Sequence, residues 1–312
     1  MKKKLKVGLV GYGTIGKVHE KVIRSFKNNF ELVAISDLQR QKVPKGIKYY
    51  KDYTDLLSKE HVEAISIATP PSSHYLIALD SISANKHVLV EKPPTIDSKK
   101  CQRLEKLAKK NSVILFTAFH MRYNPAVVQA TKKLSKANIK KIEITFKEYV
   151  FNFHDPNRWI FNPAISGGGV LMDSGINALS VVKSVLQDNS NFSIKKVVLT
   201  KAKNMKVETK VKVNFVFGNN GTGSLKMDWL YKPKDIRKLI FYTIRNVYNI
   251  NINKGSFSKN GQTLFKTDPK KDTMYLEYLG AYEHFSETIQ QGNSFVSTDE
   301  LQFVEKVYKK AG

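Results

Sequence analysis

The chain has 312 residues, room for two domains that each bury a core, with 41% hydrophobic and 25% charged residues and one cysteine, Cys101. A single thiol excludes an intramolecular disulfide and fits a reducing compartment. The net charge of +25 raises nucleic-acid binding, yet only seven of the 52 basic residues are Arg and the lysines run from end to end. Specific readers cluster their charge and use Arg forks on base edges, so this charge implies non-specific adhesion at low salt and no specific nucleic-acid partner.

The start, Met1-Lys2-Lys3-Lys4, has the charge of a signal-peptide n-region. The apolar run after it is short, is broken by Lys6, and meets Gly11 and Gly13 with no small-residue cleavage site. No apolar run approaches the roughly 18 residues of a membrane span. The reading is a cytoplasmic protein without a membrane partner.

From the N-terminus, strands and helices alternate. Residues 5–10 form an apolar strand, followed by a glycine turn and a helix from Thr14 to Phe26. Strands are predicted over 31–36, 47–50, 62–68, 87–90 and 113–119, and helices over 54–57, 72–84 and 97–110. Near-continuous apolar strands separated by helices imply a parallel sheet covered on both faces. The pattern then changes. After a helix over 125–136 come longer strands with period-two alternation, at 140–150, 197–202, 205–217, 223–230 and 238–250. Val207, Thr209, Val211, Val213, Phe215 and Phe217 share one face against Glu208, Lys210, Lys212 and Asn214. Helices over 274–290 and 299–310 end the chain. The expected architecture is an α/β Rossmann domain over 1–122, then an α+β domain over 123–312 built on a large, mainly antiparallel open sheet.

Gly11-Tyr12-Gly13-Thr14-Ile15-Gly16 has the G-x-G-x-x-G spacing, directly after a strand and opening a helix. Gly11 permits the tight turn, Gly13 lets backbone approach a pyrophosphate, and Gly16 lets helix and strand pack closely. The helix N-terminus then offers N–H groups and partial positive charge to the phosphates. Asp37 ends the second strand, 21 residues beyond Gly16, where a carboxylate accepts ribose hydroxyls and repels a 2′-phosphate. The cofactor expected is NAD, with Arg40 leaving NADP open.

Glu91-Lys92-Pro93 makes the reading specific. With the glycine motif, Ala68-Thr69-Pro70-Pro71 followed by His74, and Gly167-Gly168-Gly169 followed by Asp173 and Gly175, it resembles the glucose–fructose oxidoreductase/inositol dehydrogenase family over the whole chain. The runs from Thr117 to Val127 and from Gly169 to Ser180 are similar to its aldose 1-dehydrogenase branch, the D-galactose and L-arabinose enzymes. The resemblance implies that Lys92 sits beside the nicotinamide, that the Lys92–Pro93 bond is cis, and that Ala68, Thr69, Pro70, His74 and Glu91 border the cofactor. It also implies self-association through the second-domain sheet, for which Ile240, Tyr242 and Ile244 offer an alternate face.

Asp173 and Asn177 are four apart and on a helix share one face. The family pattern more often has His where this chain has Asn177, and an amide takes no proton. Acid–base duty therefore falls on Lys92 or Asp173, with Asn177 holding a hydroxyl. Glu148 falls on the apolar face of Ile142, Ile144 and Phe146, and His154 follows in a loop leading to Trp159. The resemblance implies that Glu148, His154 and, with them, His120 contact substrate. Trp159 and Trp229 are either sugar-stacking or core. His19, His61, His87 and His284 are read as structural, and no metal-ligand spacing appears.

The implied activity is hydride transfer from C1 of a cyclic aldose to NAD(P), giving an aldonolactone. The alternatives are an inositol or secondary-alcohol sugar dehydrogenase of the same family, and a non-catalytic dinucleotide-binding sensor.

Overall fold

A computed structural model describes residues 4–155, 157–187, 192–218, 220–296 and 298–312. The opening residues Met1, Lys2 and Lys3 lie outside the described residues. The chain divides into two compact units. The first takes residues up to Phe119 together with Tyr278–Thr298; the second takes His120–Glu277 with Asp299–Gly312. Beside a single boundary at 122–123, the chain crosses three times, and its late segment 278–298 belongs with its beginning.

The first unit holds six strands, β1 (Leu5–Val10), β2 (Phe30–Ser36), β3 (Lys48–Tyr50), β4 (Ala64–Ile67), β5 (His87–Glu91) and β6 (Leu115–Ala118). All pair in parallel in the order β3-β2-β1-β4-β5-β6, the doubly wound Rossmann arrangement. The interleaved helices are α1 (Thr14–Ser25), α2 (Tyr53–Lys59), α3 (Pro71–Ser83) and α4 (Ser98–Lys110). Asp52 and Asp97 cap α2 and α4 by accepting backbone N–H groups from Thr54 and Lys100. The strands are buried on both sides because helices cover both faces: every residue of β4 and β6 is buried.

The late segment completes this core. Phe295 exchanges backbone hydrogen bonds with the end of β6, donating to Leu115 and accepting from Thr117. Tyr282 and Phe285 are fully buried, and the Phe285 ring lies 6.2 Å from Phe30 and 5.5 Å from Phe116. Burying each such ring contributes about 1.5–3 kcal/mol.

The second unit contains one eight-stranded sheet. Its strands are β7 (Lys141–Lys147), β8 (Ser193–Thr200), β9 (Lys210–Phe217), β10 (Gly221–Asp228), β11 (Ile236–Tyr242), β12 (Val247–Asn251), β13 (Ser256–Lys259) and β14 (Gln262–Lys266). The order is β14-β13-β12-β11-β7-β10-β9-β8, antiparallel everywhere except between β7 and β10. Ile142, Ile144 and Phe146 of β7 are buried, while Lys141, Glu143, Thr145 and Lys147 alternate outward. The helices are α5 (Pro125–Leu134), α6 (Pro163–Ser166), α7 (Ile176–Leu186), α8 (Thr273–Gln291) and α9 (Thr298–Ala311), with α8 passing to the first unit at Tyr278. The stretch Pro163–Leu186 is long and apolar enough to cross a membrane by length and composition, but 78% of that window is buried inside the protein.

Two readings of the alternation change. The single strand expected over 238–250 is a hairpin of β11 and β12, closed by the bond from Thr243 N–H to the Asn246 carbonyl. The turn carries no Gly or Pro, so the apolar period continues through it and hides it; Ile244 sits there, 80% exposed, beyond the strand. Glu208, expected on the outward face, is buried. It precedes the start of β9 at Lys210, so strand alternation does not govern it.

Candidate active site

In the first unit the glycine turn joins β1 to α1. Gly11 has φ +92°, a left-handed conformation that favours glycine, and a Cβ there would lie 2.7 Å from the Ala68 backbone. Above Gly13 a Cβ would meet nothing within 4 Å. Helix α1 has no side-chain cap and no acidic residue in its first turn, so its N–H groups and dipole are available to an anion. The cradle thus fits a pyrophosphate: tight where backbone passes backbone, open where a ligand must approach.

Asp37 is tied to this turn. Its Oδ2 accepts the Tyr12 N–H at 2.6 Å and its Oδ1 accepts the Gln39 N–H at 2.9 Å. The carboxylate that the spacing assigned to ribose therefore also fixes the glycine loop. Arg40, the residue that left NADP open, stacks over the Tyr49 ring at 4.8 Å.

His74 links two loops of this unit. Its ring nitrogens lie 2.7 Å from the Thr69 carbonyl and 2.8 Å from the Pro93 carbonyl. Burial holds this imidazole below its ordinary range despite the two acceptors, so the ring is neutral at pH 7 and donates to one carbonyl at a time. The Lys92–Pro93 bond is cis, and Lys92 is half-buried. Its neighbour Glu91 turns inward: Oε1 lies 3.0 Å from His19 Nε2, whose Nδ1 faces Ser66 Oγ at 2.9 Å and Tyr282 OH at 2.8 Å. The cluster supports the Glu91-Lys92-Pro93 segment from below. His19, read as structural, is its centre.

In the second unit, Asp173 lies in a π-helical turn, Leu171–Gly175, that leads into α7 and Asn177. Wider turns of this kind re-aim side chains and recur at functional sites. The buried Glu208 anchors the segment by accepting N–H groups from Gly169 at 2.9 Å and Leu171 at 3.1 Å and the Tyr308 hydroxyl at 2.9 Å. Burial beside this carboxylate pushes the Tyr308 hydroxyl well above the ordinary phenol range. Gly169 packs so close that a Cβ would strike the Glu208 backbone.

Glu148 follows β7 and is buried. Its Oε1 accepts the Ser174 hydroxyl at 3.1 Å, and that hydroxyl also lies 3.3 Å from Asp173 Oδ2. Its Oε2 accepts two N–H groups of Arg237, Nε at 3.1 Å and Nη2 at 2.5 Å. Glu148, Asp173, Ser174 and Arg237 thus form one cluster. Asn177 is 2% exposed, and its amide oxygen is buried without a hydrogen-bond partner.

The other expected substrate residues are placed differently. His120 bonds Glu277 at 2.6 Å, and the same carboxylate accepts the Asn124 amide at 2.7 Å. His154 and Trp159 are half-buried, in the loop after Val150 and in a short 3-10 turn. Trp229 is fully buried with its ring edge-on to Phe161, so it is core. Among the described residues no group of His, Cys, Asp and Glu is arranged to hold a metal.

Residues 5–119 match the description "Oxidoreductase family, NAD-binding Rossmann fold", and residues 137–258 match the "GFO/IDH/MocA C-terminal domain". The chain belongs to the GFO/IDH/MocA oxidoreductase family. Galactose 1-dehydrogenase of Pseudomonas fluorescens is 30% identical over 186 residues, 58% of this chain and 57% of that protein. Inositol 2-dehydrogenase of Salmonella paratyphi B is 29% identical over 143 residues, 43% of each. The matched part spans about half the length of these relatives. The crystal structure of D-galactose-1-dehydrogenase from Rhizobium etli has a TM-score of 0.87 at 29% identity, covering 99% of this chain and 96% of that one.

Three features of this GFO/IDH/MocA chain escaped the sequence reading: Arg237, the Glu208–Tyr308 clamp and the His19 cluster. Arg237 carried a signal, being one of seven arginines in a lysine-rich chain. The others bond across 100 and 263 residues, which local spacing does not reach.

Proposed function

We propose that this chain is an NAD-dependent aldose 1-dehydrogenase that removes hydride from C1 of a cyclic aldose and yields the aldonolactone. The carrying observation is the buried Asn177 oxygen without a partner. Buried polar atoms are almost always satisfied, and a sugar hydroxyl would satisfy this one. The similarity to galactose 1-dehydrogenase in sequence and in fold supports the same reading.

When bound, the nicotinamide supplies the hydride acceptor. The glycine turn and the α1 N-terminus hold its pyrophosphate, and Asp37 accepts ribose hydroxyls and disfavours a 2′-phosphate. Lys92 accepts the C1 hydroxyl proton while the C1–H bond breaks and C1=O forms. Asp173 and Glu148 accept sugar hydroxyls, and Asn177 accepts another through its amide oxygen. His154 and Trp159 border the ring. The protein works in the cytoplasm and self-associates through the outward face of its second-unit sheet, where Ile240 and Tyr242 lie.

The similarity to inositol 2-dehydrogenase favours a second reading, oxidation of a secondary alcohol to a ketone. One experiment separates the two. D-galactose, L-arabinose, D-xylose, D-glucose, L-fucose and myo-inositol are each assayed with NAD and NADP, and products are identified by mass and by hydrolysis. The expected result is turnover of at least one aldose with NAD, giving a lactone that hydrolyses to the aldonic acid. A ketose product, a clear NADP preference, or no turnover at all counts against the corresponding part of the reading.

A further inference from the structure

Arg237 stands outside every motif of the sequence, yet its side chain touches two segments that carry proposed substrate residues. It lies on β11 in register with Phe146 of β7, one position from where Glu148 leaves that strand. Two of its N–H groups converge on Glu148 Oε2. Its guanidinium carbon lies 5.9 Å from the centre of the Phe153 ring, in the loop that carries His154. Asp173 is among the charges that act on it.

A carboxylate offers about four lone-pair sites. Arg237 takes two contacts on Oε2 and Ser174 takes one on Oε1, which leaves acceptor capacity on Oε1 beside Asp173. A buried carboxylate without a cation would tend to take up a proton and become a donor at that oxygen. The paired N–H groups of the Arg237 guanidinium fix the orientation of Glu148.

The surrounding charges sharpen this. Asp235 and Asp173 also face Arg237; burial works against its charge, and these acids with Glu148 outweigh it, holding the guanidinium above its ordinary value. Lys147 and Lys232 rest on the rings of Tyr231 and Tyr149, and Asp228 pairs with Lys210 at 3.1 Å. Glu148 is thus held as an oriented acceptor for a hydroxyl donor.

We propose that Arg237 is a positioning residue of the sugar site: it holds Glu148 as an oriented hydroxyl acceptor. The proposal rests on the sugar-dehydrogenase reading above.

The test uses the full chain with R237Q, R237K, E148Q and the double variant R237Q/E148Q. In R237Q the KM for the best neutral sugar is expected to rise at least tenfold more than kcat falls, with NADH affinity by fluorescence titration unchanged. R237K, a point charge without the planar fork, recovers part of that loss. A wild-type KM in R237Q overturns the proposal. If the native protein oxidises no sugar, the enzymatic reading fails instead. Urea unfolding of the native chain, R237Q, E148Q and R237Q/E148Q then decides the pairing alone: additive midpoint shifts overturn it, and a coupling between the two positions supports it.

Discussion

The proton-acceptor role proposed for Lys92 can be measured directly. Its segment is fixed from two directions, by His74 on the Pro93 carbonyl and by His19 on Glu91. Replacing Lys92 by Ala leaves both fixings intact, because neither uses its amine. K92A is therefore expected to keep its fold and its NADH affinity while losing about 10²–10⁴ in kcat, the usual worth of a positioned proton acceptor. Steady-state kinetics beside a cofactor titration check this, and a turnover near that of the native chain removes Lys92 from the chemistry. The motif around Lys92, with its cis bond, was legible because it is local. Asp37 was legible for the same reason, although its bond to the Tyr12 N–H was not, since the spacing says which residue reaches the turn and not which atoms it meets. Arg237 and Glu148 are 89 positions apart, and nothing in either neighbourhood announces the other.

Elements were readable where one rule held from end to end. The parallel strands of the first unit, buried on both faces, stood out as apolar runs, and β7 and β9 showed their alternation. The rule failed where two regimes met. Glu208 kept the phase of β9 while lying before its first residue, and the π-helical turn at Leu171–Gly175 has no periodic signature in five residues. That turn depends on Glu208, which satisfies two N–H groups that would otherwise be buried without partners. Glu208→Ala is expected to destabilise the protein by about 1.5–3 kcal/mol, the range for hydrogen bonds to a charged group. Glu208→Gln should lose less, since its amide oxygen still serves one of the donors. Urea midpoints give the stability order. A loss of kcat in E208A with cofactor affinity preserved would tie the clamp to the placement of Asp173 and Asn177.

At the scale of the molecule, the buried His74 and the half-buried His87 make stability depend on pH. His74 and His87 are both held below the ordinary imidazole range, chiefly by burial. Below about pH 6.5 the unfolded chain therefore binds protons that the native one resists, and acid favours unfolding. The stabilisation is complete above that pH and declines as pH falls toward the native values, by at most about 1.4 kcal/mol per pH unit for each histidine. Unfolding free energies from pH 5 to 8 should show this slope, and His74→Asn should reduce it; an equal slope in the variant would remove His74 as a source. The fold class and the family were legible at this scale because four motifs fall in order along the chain. The allocation of the late segment was not, because α8 reads as one helix whichever unit its residues join.

That late segment has a consequence for the order in which the protein is made. Synthesis runs from the N-terminus, and domains tend to fold as their residues emerge. The Rossmann sheet has all six strands by Ala118, but Phe30 and Phe116 wait for Phe285, and the backbone at the end of β6 waits for Phe295. The unit that begins first is thus completed after almost the whole of the other has left the ribosome. Until then, the nascent chain carries an unfinished apolar surface through most of its own translation.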